Sequence, residues 1–253
     1  GAVQTPAVVD GVVYITEDCG QTWALNAFNG TVQWKFNDQS GRGQASPPTV
    51  ADGTVYFGTV KAGAPEGNHV IAVDAATGKE KWRFSFSPSG DVKSSPAIAN
   101  GTLFFGSGNG NVYAVNASDG NEVWAEPFTT SGAVLSSPAV ADEIVYVGSN
   151  DGRLYVLNAS TGAEIDRFLA GGQIKSSPAV ANGSVYIGSE GSSLYGLVKQ
   201  IEGTTPRPVS RIQFDYQDFG GETNLEVNGD QKVVEDLKQL DGTTVGNAKV
   251  TVL

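Results

Sequence analysis

The sequence predicts an all-β chain, a β-propeller of about five four-stranded blades followed by a small C-terminal β-rich appendage. Three observations predict it. First, near-identical segments open at Pro6, Pro48, Pro96, Pro138 and Pro178, spaced by 42, 48, 42 and 40 residues. A repeat of that length is one structural unit that buries its faces only against its neighbours. Second, each segment holds short runs of alternating apolar and polar residues, rich in Val, Ile and Tyr and bounded by Asn, Asp and Gly, which is the pattern of antiparallel hairpins. Third, residues 1–200 show no convincing period of 3.6, so helices are not expected there.

Each copy follows one order. The first strand is short and carries small residues (Ala7, Ala97, Ala139, Ala179), which suits a strand crowded near a central axis. A turn pair ends it, as at Asp10-Gly11, Asp52-Gly53 and Asn100-Gly101. The second strand reads VVYIT, TVYFGT, TLFFGS, IVYVGS or SVYIGS, and the third TWALNA, VIAVDA, VYAVNA, LYVLNA or LYGLV. A turn at Gly30, Gly78, Gly120 or Gly162 leads to an outer strand that ends in aromatics (TVQWKF, KEKWRF, NEVWAEPF). The blades fall at about 1–43, 44–92, 93–134, 135–174 and 175–202, and the second holds a six-residue insertion near 60–69. Residues 203–208 read as a linker. Residues 209–253 read as a small β-rich module, with Asn228-Gly229 as a hairpin signal, or as an irregular extra blade.

Composition narrows the function. With 27 acidic and 16 basic residues the net charge is −11, which disfavours binding to a phosphate backbone, so no nucleic-acid partner is expected. No apolar run reaches the roughly 18 residues of a membrane span. A single cysteine, Cys19, rules out an intrachain disulfide; it reads as an inert thiol near a turn or as an intermolecular bridge. The chain lacks methionine even at position 1, which reads as a processed or excised piece.

The segment AVDAATGKEKW (72–82) resembles the tryptophan-docking motif of quinoprotein (PQQ) propeller repeats, with Ala72, Asp74, Thr77, Gly78, Lys79 and Trp82 filling the pattern. ALNAFNGTVQW (24–34) and AVNASDGNEVW (114–124) match more loosely, with Asn26 and Asn116 in place of Asp. VLNASTGAEID (156–166) carries Asp166 at the tryptophan position, and Pro206 holds it in the fifth copy. The resemblance covers about residues 1–200. It implies that Trp34, Trp82 and Trp124 dock neighbouring blades together with Gly30, Gly78, Gly120 and Gly162, and that the fourth blade docks weakly at its rim. Families with this repeat usually close with seven or eight blades, so five leave closure of the ring open.

The resemblance also implies two lines of function. Quinoprotein dehydrogenases hold PQQ over a calcium ion and need a carboxylate base, acidic and amide ligands and stacking groups. With one cysteine and five copies, no such constellation assembles from the sequence, so neither PQQ nor calcium is expected unless the chain is an enzyme fragment. Non-enzymatic members include a lipoprotein subunit that assists outer-membrane barrel assembly, which this chain resembles in repeat type only.

The remaining candidates are local. His69 reads as an exposed loop residue with no second histidine to form a metal site. GSGNGN (106–111) joins two β runs with no helix after it, so it reads as a hairpin turn, not a phosphate loop. Asp215, Asp218 and Glu222 read as a calcium group or as solvated carboxylates. Asn29, Asn100, Asn116, Asn158 and Asn182 sit in Asn-x-Ser/Thr sequons, at turns where the repeat already favours Asn. Lys93-Ser94 and Lys175-Ser176 precede the innermost strand and would gather at one channel mouth. There they either bind a small anion or a peptide carboxylate or satisfy backbone groups. The sequence thus points to a non-catalytic binding or scaffold module outside the cytoplasm, at the cell surface, secreted or periplasmic. It would present loops and strand edges to a protein partner. The alternatives are a fragment of a PQQ-dependent dehydrogenase and a structural protein that self-associates through open blade edges.

Overall fold

The computed structural model describes residues 4–17, 20–38, 46–59, 68–86, 90–181, 183–191 and 193–198, together with short strands beyond residue 209. Alternation and turn pairs produce four-stranded antiparallel sheets in chain order. The first sheet is β1 (Ala7–Val9), β2 (Val12–Thr16), β3 (Gln21–Asn26) and β4 (Val32–Asn37), and the second is β5 (Thr49–Ala51), β6 (Thr54–Gly58), β7 (His69–Asp74) and β8 (Glu80–Ser85). The third is β9 (Ala97–Ala99), β10 (Thr102–Gly106), β11 (Asn111–Asn116) and β12 (Phe128–Thr129). The fourth is β13 (Ala139–Ala141), β14 (Ile144–Gly148), β15 (Arg153–Asn158) and β16 (Glu164–Leu169). The fifth is β17 (Ala179–Ala181), β18 (Ser184–Ser189), β19 (Ser193–Val198) and β20 (Ser210–Asp215). Among the described residues there is no helix.

The turn between the first two strands is set by backbone chemistry. Its two central residues both take positive φ, as at Asp52 (47°) and Gly53 (66°), the geometry that matches the twist of a two-residue hairpin. Blade four departs from this, because Glu143 adopts φ 61° where the others carry glycine. A side chain there costs about 1–2 kcal/mol. Glu143→Gly is therefore expected to stabilise the protein by about 1 kcal/mol in a denaturant titration, once the greater freedom of glycine in the unfolded chain is offset.

The core lies between blades, not within them. Four buried clusters join successive pairs, each pairing one blade's second, third and outer strands with the next blade's second and third. Innermost strands β1, β5, β9, β13 and β17 lie side by side in that order. Among the described residues no buried cluster joins blade five to blade one.

Two elements differ from the sequence reading. In blade three the run 121–127 is not a strand. Beyond a single bridge between Val115 and Glu122, pairing resumes only at Phe128 opposite Val112. Trp34 and Phe36 are two residues apart, as are Trp82 and Phe84, whereas Trp124 and Phe128 are four apart. The extra residues include Pro127, which has no N–H to give to a ladder. In blade five the outer strand is not within 175–202: Ser210–Asp215 pairs along the whole of Ser193–Val198, and Thr251–Val252 adds a fifth strand. The expected separate module therefore contributes backbone to the last blade. Glu226–Val227 pairs with Asp230–Gln231, and Val233–Val234 pairs with Ala248–Lys249. The linker 203–208 lies outside the described residues, as do Cys19, Asp218, Glu222 and Asn182.

Candidate functional site

The most repeated constellation is a seat for an indole at each blade junction. The Asx residue at the end of the third strand makes the turn. Thr77 N–H and Oγ1–H both donate to Asp74 Oδ1 (2.9 and 2.7 Å), and Asn116 and Asn158 accept in the same way from Ser118 and from Ser160 and Thr161. Those bonds hold the Asp74 carboxyl below the usual carboxylate range, the Thr77 hydroxyl first. The turn ends in a glycine at positive φ, 69° at Gly78, 75° at Gly120 and 73° at Gly162.

Onto each glycine falls the tryptophan of the blade before. A Cβ added at Gly78, Gly120 or Gly162 would lie 2.7 Å from Trp34, Trp82 or Trp124 respectively. The indole N–H then donates to the carbonyl of the same turn: Trp34 to Ala75 (2.8 Å), Trp82 to Ala117 (3.0 Å) and Trp124 to Ala159 (2.8 Å). Tyr14 and Tyr56 donate to the first two of those carbonyls as well. Apolar face and polar edge are thus both satisfied, as a buried indole requires. Blade four carries Asp166 at this place, opposite Val156, partly exposed and accepting from the Arg167 N–H. Gly30, at φ 72°, has nothing within 4 Å of its would-be Cβ.

The inner end of the blades is bound by hydroxyls. Ser94 is buried, donates to Gly106 O (2.9 Å) and accepts from Gly106 N–H (3.0 Å); Ser176 does the same at Gly188. Ser137 Oγ accepts from Ser95 N–H (2.9 Å), and Ser177 Oγ accepts from Ser137 N–H (3.1 Å). The second serine of each pair thus links its blade to the one before. Lys93 lies 3.5 Å from Asp91, and Lys175 donates to Glu190 at 2.7 Å. Of the two readings of Lys93, Ser94, Lys175 and Ser176, the serine contacts are those of backbone partners. The Ser94 and Ser176 hydroxyls hold backbone groups, and the ammonium groups of Lys93 and Lys175 face the Asp91 and Glu190 carboxylates.

Three further groups escaped the sequence reading. His69 is not an exposed loop residue; it opens β7, is 5 % exposed, and its Nδ1 lies 2.9 Å from Ser85 Oγ. Burial follows from the insertion ending one residue earlier than the alternation suggested. Arg83 joins blades one and two by reaching buried Asp38 (3.3 Å) as well as Glu80, and the Glu80 bond first of all raises its pKa. Tyr155 donates to Asp151 at 2.6 Å, and burial followed by that carboxylate pushes its pKa from 10.0 up to about 12. A raised phenol pKa means that the neutral form is favoured by folding. Its contribution is complete below pH 10 and is lost as pH rises towards 12. Stability is expected to fall across that window, and Tyr155→Phe should flatten the fall in urea titrations run at successive pH values.

For a cofactor the donor set is thin. Among the described residues no three of His, Cys, Asp and Glu converge to hold a metal, and the inner-mouth hydroxyls and amines are engaged as above. Between blades three and four lies a cleft of about 370 Å³ whose lining includes Asn100, Asp142 and Glu143. No described helix is long and apolar enough to cross a membrane.

Comparison with known proteins places the architecture. The family described as outer membrane protein assembly factor BamB matches residues 1–138 and 128–205. No curated protein matches. Among solved structures, BamB from Moraxella catarrhalis superposes with a TM-score of 0.63 at 20% identity, over 78% of this chain and 59% of that one. The computationally designed Ika8 protein gives 0.66 at 16% identity, over 78% and 58%. The quinohemoprotein alcohol dehydrogenase of Comamonas testosteroni gives 0.62 at 18%, over 78% and 41%. The chain thus spans less than two thirds of each.

Proposed function

The chain belongs to the outer membrane protein assembly factor BamB family of PQQ-like propeller repeats, and from that premise we propose that it is a non-catalytic binding module. It acts outside the cytoplasm and presents its blade-connecting loops and end strands to a protein partner. One observation carries the reading. Blade one leaves the most exposed large apolar side chains among the described residues: Phe28 is 98 % exposed at its outer turn, and Val8 is 62 % exposed on its innermost strand. Large apolar side chains left exposed on a folded domain mark candidate interaction surfaces. The Moraxella catarrhalis BamB likeness supports the same class of function.

The test is a photo-crosslinking amino acid placed at Phe28 in the full-length protein in its own cell. A discrete adduct with a different protein outside the cytoplasm is the expected result. An adduct only between copies would replace this reading with self-association. Dye reduction dependent on PQQ and calcium by the full-length protein would replace it with the dehydrogenase reading, which the Comamonas testosteroni likeness keeps in view.

A further inference from the structure

The cleft of about 370 Å³ between blades three and four lies where two side chains of the repeat are exchanged. The first exchange removes a hydroxyl. At the two earlier junctions a tyrosine of the second strand donates to a carbonyl of the next blade, Tyr14 to Ala75 O and Tyr56 to Ala117 O. Phe104 holds that register in blade three, opposite Ala97 as Tyr14 stands opposite Ala7 and Tyr56 opposite Thr49. Among the described residues, Ala159 O therefore keeps only the Trp124 N–H as a side-chain donor. A carbonyl oxygen has two lone pairs, so one remains for another donor.

The second exchange removes a cation. In blade two Lys81 is the extra residue of a bulge between Glu80 and Trp82; its ammonium donates to Thr54 Oγ1 at 2.7 Å and lies 3.9 Å from Asp74. Thr54 shares a sheet face with Tyr56, which packs against blade three, so this ammonium caps the junction of blades two and three. Blade three keeps the threonine and the bulge. Thr102 stands opposite Asn116 as Thr54 stands opposite Asp74, and the Val115–Glu122 bridge repeats the Val73–Glu80 pair. But Trp124 is preceded by Val123 where Trp82 is preceded by Lys81. Thr102, Phe104, Val123 and Ala159 all line the cleft.

The facing wall adds negative charge. Blade four contributes Asp142 and Glu143, where blades two and three carry Asp52-Gly53 and Asn100-Gly101. Both carboxylates are exposed, and no ion pair among the described residues reaches either. The described lining holds no lysine or arginine. The cleft thus combines two carboxylates, a hydroxyl and a carbonyl with an apolar wall, and lacks the cation that the same place in blade two supplies from its own chain.

We propose that the cleft between blades three and four binds a lysine side chain of a partner protein. The ammonium is held by the oxygens of Asp142, Glu143 and Thr102, and the aliphatic stem lies along Val123 and Phe104. An ammonium suits this site because it is a compact charge with three donors, and the acceptors come from two blades and share no plane. The net charge of −11 favours a basic partner over an acidic one. The cleft and Phe28 belong to different blades, so the crosslinking result at Phe28 and the result here stand or fall separately.

The experiment is amide chemical-shift mapping of the isotope-labelled full chain during titration with N-acetyl-lysinamide. Saturable shifts are expected at residues 100–102, 123 and 142–143, with an affinity in about the millimolar range of a single side chain. N-acetyl-norleucinamide, which has the stem without the charge, should bind at least about tenfold more weakly. Added salt should weaken the lysine probe alone. Glu143→Gly should weaken it about threefold, the share of one exposed carboxylate. Val123→Lys, at an exposed position, should leave the rest of the spectrum in place and abolish saturable binding, because the cleft then holds its own ammonium as blade two does. Absence of saturable shifts at those residues, equal binding of the two probes, or undiminished binding to Val123→Lys would overturn the site. The same shifts produced by calcium chloride alone, at a lower concentration than the lysine probe needs, would overturn it in favour of a divalent ion.

Discussion

Replacing Trp82 by alanine is expected to destabilise the protein by about 3–5 kcal/mol, the range for truncating a large buried aromatic. Trp82 has the same kinds of partner as Trp34 and Trp124: a glycine, a carbonyl and a neighbouring ring. It is 9 % exposed, lies on Gly120, donates to Ala117 O at 3.0 Å and meets the Tyr56 ring at 5.8 Å between centroids. Removing it empties the rim between blades two and three. It also leaves the Ala117 carbonyl with the Tyr56 hydroxyl at 3.1 Å as its remaining side-chain donor. Denaturant unfolding followed by circular dichroism checks the value, and a loss below about 1 kcal/mol would show that the indole is not structural. Asp166→Ala, at the corresponding place in blade four, should change stability by no more than about 0.5 kcal/mol, because it is partly exposed and fills no seat.

The second large effect is a contrast between two glycines with nearly the same backbone. Gly120 and Gly30 have φ of 75° and 72°. Alanine at either costs about 1–2 kcal/mol for the left-handed conformation. At Gly120 the new Cβ would also stand 2.7 Å from the Trp82 ring, which forces overpacking of a further 1–3 kcal/mol or so. Gly120→Ala is therefore expected to lose about 2–5 kcal/mol in all and Gly30→Ala only the backbone share. Equal losses at the two positions, measured by the same unfolding titration, would mean that the tryptophan seats are not close-packed.

The parts of this fold that are local in sequence were legible. Asp10-Gly11 and its equivalents announce a hairpin because positive φ at two successive residues is a local demand, and the alternating runs between them give strand and face together. The tryptophan spacing was legible through the resemblance to PQQ-type repeats. What failed were features decided by neighbours. Pro127 interrupts an outer strand that alternation alone would have continued. The fourth strand of blade five comes from beyond residue 209, and pairing across such a gap leaves no mark on the intervening residues. The serine pairs could be read as convergent donors or as backbone partners. Only the placement of Ser137 beside Ser95, one blade away, decides for the second. His69 was misread because its burial depends on where the blade-two insertion ends.

Glycine inside the second strand shows the same limit. Gly58, Gly106 and Gly148 look like weaknesses in a β run, yet a Cβ at each would run into Val92, Val134 and Ile174 respectively. Those three are fully buried and come from the segment that leads into the next blade. The glycine is there so that the crossing chain can approach, a use that period-2 patterning does not reveal.

The central claim is that blades one to four dock through these seats, that blade five packs on blade four, and that no described buried cluster joins blade five to blade one. Among the described residues nothing packs on Gly30 of blade one, and blade five leaves Tyr186 39 % and Leu194 49 % exposed. Small-angle X-ray scattering combined with light scattering on dilute protein tests it most directly. The account predicts the mass of one 26.3 kDa chain and a curved, open profile. A closed, compact ring in which blade five packs against blade one would contradict it.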